Sequence, residues 1–424
     1  MSQDLLSLLD RFAEIGATPG GGVRRLTGSD EDGAARRLFA EIAEARGARL
    51  HVDPVGNMFA TFPTAPGSET TVLAGSHLDS QPTGGRFDGA LGVLSALVAA
   101  SEIHAEIGAE GGPAAHNLTV VNWTNEEGAR FQPSLTGSSV FTGKYDAGFA
   151  LGLSDRLGTK MGEALARIGY LGEAPFPLRP VRNLELHVEQ GGHLEATGVQ
   201  IGAVTASWGV RKLTLSFVGE PSHTGPTAMN QRRDAMRAAA WAITEFHRLM
   251  EAEAEHVELH WSAAKIVAEP DSPNVVASRV TVYFEMRNPA QQICTAAGDR
   301  FLAAIRPHVE AMGIGIETFT DEARPGTSLD PVGVAMTLEA CAELGVTAVP
   351  MMTITGHDAL ALAAMMPSNL VFVPSVNGLS HNEAELTYPE DLANGCAVVK
   401  ALLQRMISEQ GGAGPRRRPR PGIS

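Results

Sequence analysis

The stretch GSHLDSQPTGGRFDGALG, residues 75–92, decides the reading of this chain. An apolar run, Thr71 to Gly75, leads into it, so His77 and Asp79 fall at or just past the end of a strand. Gly84 and Gly85 then turn the backbone, and Asp88 stands alone before Gly89. Downstream, the run NLTVVNW (117–123) ends in the same way, at Asn125, Glu126, Glu127 and Gly128. A histidine, an aspartate and a glutamate pair at strand ends or turns offer nitrogen and oxygen lone pairs from rigid places. A two-metal hydrolytic site needs that combination.

Working outward, the first half alternates short strands with helices. Asp30 to Gly47 reads as a helix stopped by glycine, and Ala90 to Ile103 as an apolar helix. Leu184 to Val188 is a third strand and carries His187. This alternation indicates an α/β domain with a mixed, largely parallel sheet and flanking helices, whose ligands collect at the carboxyl ends of strands. Near Val210 the pattern changes to strand, helix, two strands, helix, strand, with a helix expected from Met229 to Met250. Helices return at Pro331 to Leu344 and from Pro389 to about Ile407. The expectation is a discontinuous catalytic domain, 1–210 with 325–410, and an inserted α+β lid or dimerisation domain, 211–324. The tail 411–424, GGAGPRRRPRPGIS, reads as disordered.

Composition narrows the field. The 424 residues are 44% apolar and 19% charged, which suits a globular protein with a sizeable core. A net charge of −15 argues against nucleic acid and anionic membranes as partners. Cys294, Cys341 and Cys396 are too scattered for a disulfide framework or a cysteine zinc site. No apolar run of membrane length is expected, and the start of the chain reads as an amphipathic helix rather than a signal peptide, which makes the cytoplasm the expected location.

Each chemical residue has a physical reason for its place. His77 supplies imidazole nitrogen, and the Asp79 carboxylate, two residues on, is placed to take its other ring N–H and fix the tautomer. Glycine turns around Asp88 let one carboxylate serve two ions. Glu126 and Glu127, adjacent on an extended backbone, point opposite ways, so one can bind metal while the other acts as general base.

The order HLDS, GGRFDGALGV, NEEGARF, LELHVEQG, HTGPTAMNQRRDA, GHDA, LSHNEAE resembles the M20-type metal amidohydrolases, over residues of about 20 to 407. Within them it resembles the hydantoinase/carbamoylase branch: N-carbamoyl-L-amino-acid amidohydrolases, allantoate amidohydrolases and β-ureidopropionases. The resemblance implies His77, Asp88, Glu127, His187 and His381 as metal ligands, with Asp88 bridging two divalent ions, zinc first and manganese, cobalt or nickel as alternatives. It implies Glu126 as the base and Asp79 beside it in the catalytic set. His223 would stabilise the oxyanion, from the partner subunit or across a cleft. Gln190 and Gly356 would contact the substrate, and Asn274 with Arg287 would hold its carboxylate.

Two motif residues stay open: Arg232 and Asp234 match a signature, and a helix-start ion pair explains them equally well. His357 is expected to shape the pocket without ligating. Ile354, Thr355, Pro226 and Ala228 depart from the usual pattern and bear on pocket shape. The expected reaction is hydrolysis of an N-carbamoyl-L-amino acid, a small ureido carboxylate, to amino acid, CO2 and NH3 by a homodimer paired through the insert. Allantoate or N-carbamoyl-β-alanine are the alternative substrates. An aminoacylase or dipeptidase is disfavoured by His187 and by the DGALG context, and a dead scaffold by the complete ligand set.

Overall fold

The computed structural model describes residues 2–110 and 114–409, and the basic tail expected to be disordered lies outside them. Along the chain the strands are β1 Arg49–Val52, β2 Met58–Phe62, β3 Thr70–His77, β4 Asn117–Trp123, β5 Arg179–Val188, β6 Ile201–Ser207, β7 Gly209–Val218, β8 Ser222–His223, β9 His260–Glu269, β10 Val275–Val276, β11 Arg279–Asn288, β12 Gly315–Arg324, β13 Ala348–Thr353 and β14 Ser368–Val373. They belong to two compact units, one formed by residues up to Thr205 and from Ser328 on, the other by Ala206–Thr327.

The first unit is built on an eight-stranded sheet in the order β1-β2-β4-β3-β5-β14-β6-β13. Its centre is parallel: β3 pairs in parallel with β4 and β5, and β5 with β14. The antiparallel pairings lie outside that centre, β2 on β4, β1 on β2 and β6 on β14. The sheet is therefore mixed, with a largely parallel heart, as expected. Parallel strands place all their carboxyl ends on one edge, so the residues after His77, Trp123, Val188 and Val373 meet there.

The helix Ala90–Glu110 packs on this sheet and against the helices Ser2–Ala13 and Pro389–Ser408. Covered on several sides, it is apolar around nearly its whole circumference: Leu91, Val93, Leu94, Leu97 and Val98 are fully buried. Burial of each such side chain contributes roughly 1.5–3 kcal/mol. By length and mean hydropathy residues Ala90–Ala109 are apolar enough to cross a membrane, although Glu102, His104 and Glu106 interrupt the run. Here that span is mostly buried in the protein core. Cys294, Cys341 and Cys396 are buried free thiols.

The second unit is a four-stranded antiparallel sheet, β12-β7-β11-β9, with a small ladder of β8 and β10. Alternation along β11 turns Val280, Val282, Phe284 and Met286 inward, against the helices Ala235–Ala254 and Gln291–Ala311. Phe246, Phe284 and Phe301 close that core with ring centroids 4.9 to 5.0 Å apart. The first of these helices starts later than the apolar spacing suggests. Residues 229–231 form a single 3-10 turn, and the Asp234 carboxylate caps the helix by accepting the N–H groups of Met236 and Arg237.

Candidate active site

Four loops at the carboxyl edge of the large sheet bring four sequence-distant residues, His77, Glu127, His187 and His381, around Asp88. Its Oδ1 lies 3.5 Å from His77 Nε2 and 3.1 Å from His187 Nε2. Its Oδ2 lies 3.5 Å from His381 Nε2, and that nitrogen is 3.3 Å from Glu127 Oε2. His77, Asp88 and His187 thus form one group of ligand atoms within 4.8 Å of one another, and Asp88, Glu127 and His381 a second. The two groups share only Asp88. Glu126 Oε2 stands 3.5 Å from His77 Nε2 and belongs to neither group.

The backbone aims these side chains. Gly89 adopts φ +67°, and a Cβ there would lie 2.4 Å from the His77 ring, so only glycine lets Asp88 turn under the histidines. Ring tautomers are set by main-chain carbonyls: His77 Nδ1 lies 2.9 Å from the Asp79 oxygen, and His187 Nδ1 lies 2.9 Å from the Val188 oxygen. Each carbonyl can only accept, so Nδ1 carries a proton and Nε2 is the nitrogen that faces the site. This corrects the role given to the Asp79 carboxylate, which lies 3.9 Å from His77 Nδ1. That carboxylate instead accepts the backbone N–H groups of Glu126 and Glu127, at 3.2 and 3.4 Å, and the Thr27 hydroxyl at 3.1 Å. Nor is the glutamate pair extended: it sits in a bend entered through Asn125 at φ 56°. The bend, rather than strand alternation, sends Glu126 towards His77 and Glu127 towards His381.

Positive φ is uncommon outside glycine and costs of order 1 kcal/mol or more. Among the described residues, Asn125, Leu135, Gln190, Asn377 and His381 adopt it. Three of these are site residues or adjoin one, so the strain is concentrated where ligands are presented.

Sequence reasoning did not single out several residues that hold the site. Glu385 accepts the backbone N–H groups of Phe87 and Asp88, at 3.2 and 3.1 Å. Ser380 Oγ is 2.9 Å from Glu385 Oε2 and 3.1 Å from Asp88 Oδ2. Gln81 Nε2 donates to Glu127 Oε2 at 2.8 Å. Glu185, fully buried, accepts from the Ser76 hydroxyl and the Ala359 N–H. A signal existed for two of them: Glu185 is an acid inside an apolar strand, and Glu385 lies in the LSHNEAE motif four residues after His381.

The electrostatics call for cations. Burial alone would raise the Asp88 pKa, yet the imidazoles of His187 and His77 hold its carboxyl well below the usual range. Burial, then Asp358 and Glu127, pushes Glu126 well above its ordinary value, and burial with Asp88 pushes Glu127 up to about 8. Asp79, Glu185 and Asp358 are raised as well, each first by burial. Burial and the neighbouring His187 lower His357 well below the histidine range, which suits a neutral ring packed edge-on against His187 at 4.6 Å. Several buried carboxylates with few cationic partners are costly unless positive charge is added. The donor set of imidazole Nε2 and carboxylate oxygens fits divalent metal.

The expected substrate residues are placed differently. Gln190 joins the site, donating from Nε2 to Asp88 Oδ2 at 3.1 Å. Gly356 is exposed and precedes the buried His357; a Cβ there would meet Leu135, whose N–H donates to the Glu126 carbonyl. His223, Asn274 and Arg287 belong to the second unit. His223 and Asn274 adjoin each other, since Val275 pairs with His223 and the Thr224 N–H donates to the Asn274 carbonyl. Arg287, ion-paired with Glu285, is not beside Asn274. It pairs in register with Val210 and His260, at the opposite end of β11. Eight residues of strand separate Arg279 from Arg287, roughly 26 Å.

Residues 73–405 match the model of peptidase family M20/M25/M40. The chain is 36% identical to the N-carbamoyl-L-amino-acid amidohydrolase of Rhizobium meliloti, over 92% of this chain and 93% of that one. It is 29% identical to the allantoate amidohydrolase of Bacillus subtilis, over 96% and 98%. The crystal structure of an amidase of the hydantoinase/carbamoylase family from Burkholderia vietnamiensis superposes with a TM-score of 0.88 at 34% identity, covering 96% of this chain and 98% of that one. This chain belongs to peptidase family M20/M25/M40, as a hydrolase of its carbamoylase and allantoate amidohydrolase group.

Proposed function

We propose that this chain is a two-metal amidohydrolase that cleaves the ureido group of an N-carbamoyl-L-amino acid, releasing the amino acid, CO2 and NH3. The observation that carries the reading is the shared Asp88, with one oxygen facing His77 and His187 and the other facing His381. In this reading His77, Asp88 and His187 would hold one ion, and Asp88, Glu127 and His381 the other. Zinc suits the donors best, with manganese, cobalt and nickel as alternatives. Bound divalent ions would supply Lewis acidity and make a site water acidic near neutral pH.

The remaining work falls to the chain. Glu126, outside both ligand groups, takes the proton of the attacking water and returns it to the leaving nitrogen. Asp79 fixes the bend that presents Glu126 by holding its backbone N–H. Gln190, braced on Asp88, offers its amide to the ureido group. His223 stabilises the oxyanion, and Arg287 grips the substrate carboxylate.

The second unit supports a dimer in this reading. His223 pairs beside Asn274 in the ladder that precedes β11, whereas Arg287 lies near the far end of β11, about eight residues of strand beyond Arg279, so in this reading one copy of the unit does not offer both to one small molecule. Two copies can, each supplying one end.

Allantoate also presents a ureido group and a carboxylate, and an allantoate amidohydrolase is among the relatives. A screen for ammonia release from N-carbamoyl-L-amino acids, N-carbamoyl-β-alanine and allantoate separates the readings. Turnover is expected to be fastest with an N-carbamoyl-L-amino acid. Preference for allantoate would replace the proposed substrate, and release from none of them would overturn the activity.

A further inference from the structure

The motif SHTGPTAMNQRRDA left Arg232 without a function, and its position gives it one. No ion pair joins it to Asp234 among the described residues, because Asp234 caps the following helix. The Arg232 guanidinium turns back instead, donating from Nε to the Thr227 carbonyl at 3.1 Å and from an Nη to the Thr224 carbonyl at 2.6 Å. Between those carbonyls lies Gly225, whose N–H donates to His223 Nδ1 at 3.0 Å. A ring nitrogen that accepts carries no proton, so neutral His223 is held with its proton on Nε2. The loop is closed at its base by the Glu220 N–H on the Arg233 carbonyl, and on its flank by the Thr224 N–H on the Asn274 carbonyl.

We propose that Arg232 is a positioning residue: its two-carbonyl clasp holds Gly225 so that His223 presents an Nε2–H donor. This rests on the reading of His223 as the oxyanion donor, since only a ring with its proton at the outer nitrogen can donate there. A planar fork spanning two carbonyls explains arginine at this position, as an ammonium has no such geometry.

The test is made on the full-length metal-loaded protein with 15N-labelled histidine, His223 being assigned by its loss in His223→Ala. Wild type is expected to show the Nε2–H tautomer, and Arg232→Met a mixture of tautomers with faster amide exchange at Thr224 and Gly225. With N-carbamoyl-L-methionine as probe, kcat for Arg232→Met should fall about tenfold, a fraction of the loss typical for an oxyanion donor. Adding Arg232→Met to His223→Ala should cost less than about twofold more, the non-additivity of residues acting as one unit. Arg232→Lys keeps the charge without the fork and serves the same readout if Arg232→Met does not fold. An unchanged tautomer and unchanged amide exchange would overturn the proposal. If the tautomer shifts while His223→Ala turns over normally, the clasp stands and the oxyanion role of His223 falls.

Discussion

At Asp88 a single carboxylate faces two groups of candidate ligands, and the imidazoles of His187 and His77 keep it ionised there. The roles of the adjacent glutamates separate in the same place. Glu127 completes a ligand group with His381, while Glu126 stays outside both groups. Glu126→Gln removes a proton carrier and no ligand, so it should keep both metals and lose about 10²–10⁴-fold in kcat. Metal analysis and steady-state rates on one preparation check this, and near-normal turnover would remove Glu126 from its role. The charge balance makes a second prediction. Glu127 in the metal-free protein is raised from 4.5 to about 8. Between those values the native state keeps a proton that the unfolded chain has lost, so stability falls as pH rises through that window. His77, held well above the usual histidine value by Glu126 and Asp88 against the effect of burial, acts in the same direction. The lowered pKa of His357 acts oppositely, but below its ordinary value of 6.5. The Tm of the metal-free protein should therefore drop from pH 7 to pH 8, and saturating divalent ion, which needs the carboxylate, should abolish the drop. A Tm that rises over this interval by calorimetry would contradict the assignment.

At the scale of elements, the site is made by four strand ends and the turns that follow them. The turn at Gly89 is the most exacting, combining positive φ with a contact on the His77 ring. Gly89→Ala should cost about 1–2 kcal/mol from backbone conformation alone, more from the clash, and should weaken metal binding more than global stability. Titration of metal beside a thermal melt measures both, and unchanged affinity would count against the turn's role. Much at this scale was legible beforehand. Asn117 to Trp123 and Pro331 to Leu344 read correctly because apolar runs with clear flanks specify their own ends. Residues 229–231 were misread as helix because an apolar pattern does not reveal the cap at Asp234. Asp88 and the four residues now around it were legible because histidine, aspartate and glutamate beside glycine have few structural uses. Glu385, Ser380 and Gln81 were not singled out, because their work is done through hydrogen bonds to backbone or to other side chains of the site, and those depend on loops meeting across 298, 292 and 46 positions.

At the scale of the whole molecule, the same limit explains Asn274 and Arg287, which the motifs treat as a pair and β11 holds apart. A sequence order cannot say which copy of a chain a residue serves. If two copies contribute, His223→Ala and Arg287→Ala should each be nearly inactive alone. Mixed by unfolding and refolding together, they should recover up to about a quarter of wild-type activity, as expected when half of the dimers are mixed and each holds one intact site. No recovery would place all these groups in one subunit's service or in none. The central claim is a hydrolytic site that needs two ions around Asp88. Its most direct test is ammonia release from N-carbamoyl-L-methionine by metal-free protein as divalent ion is returned in counted equivalents. The rate should climb to a plateau at two ions per chain; a plateau at one ion, or full activity without any, would contradict the account.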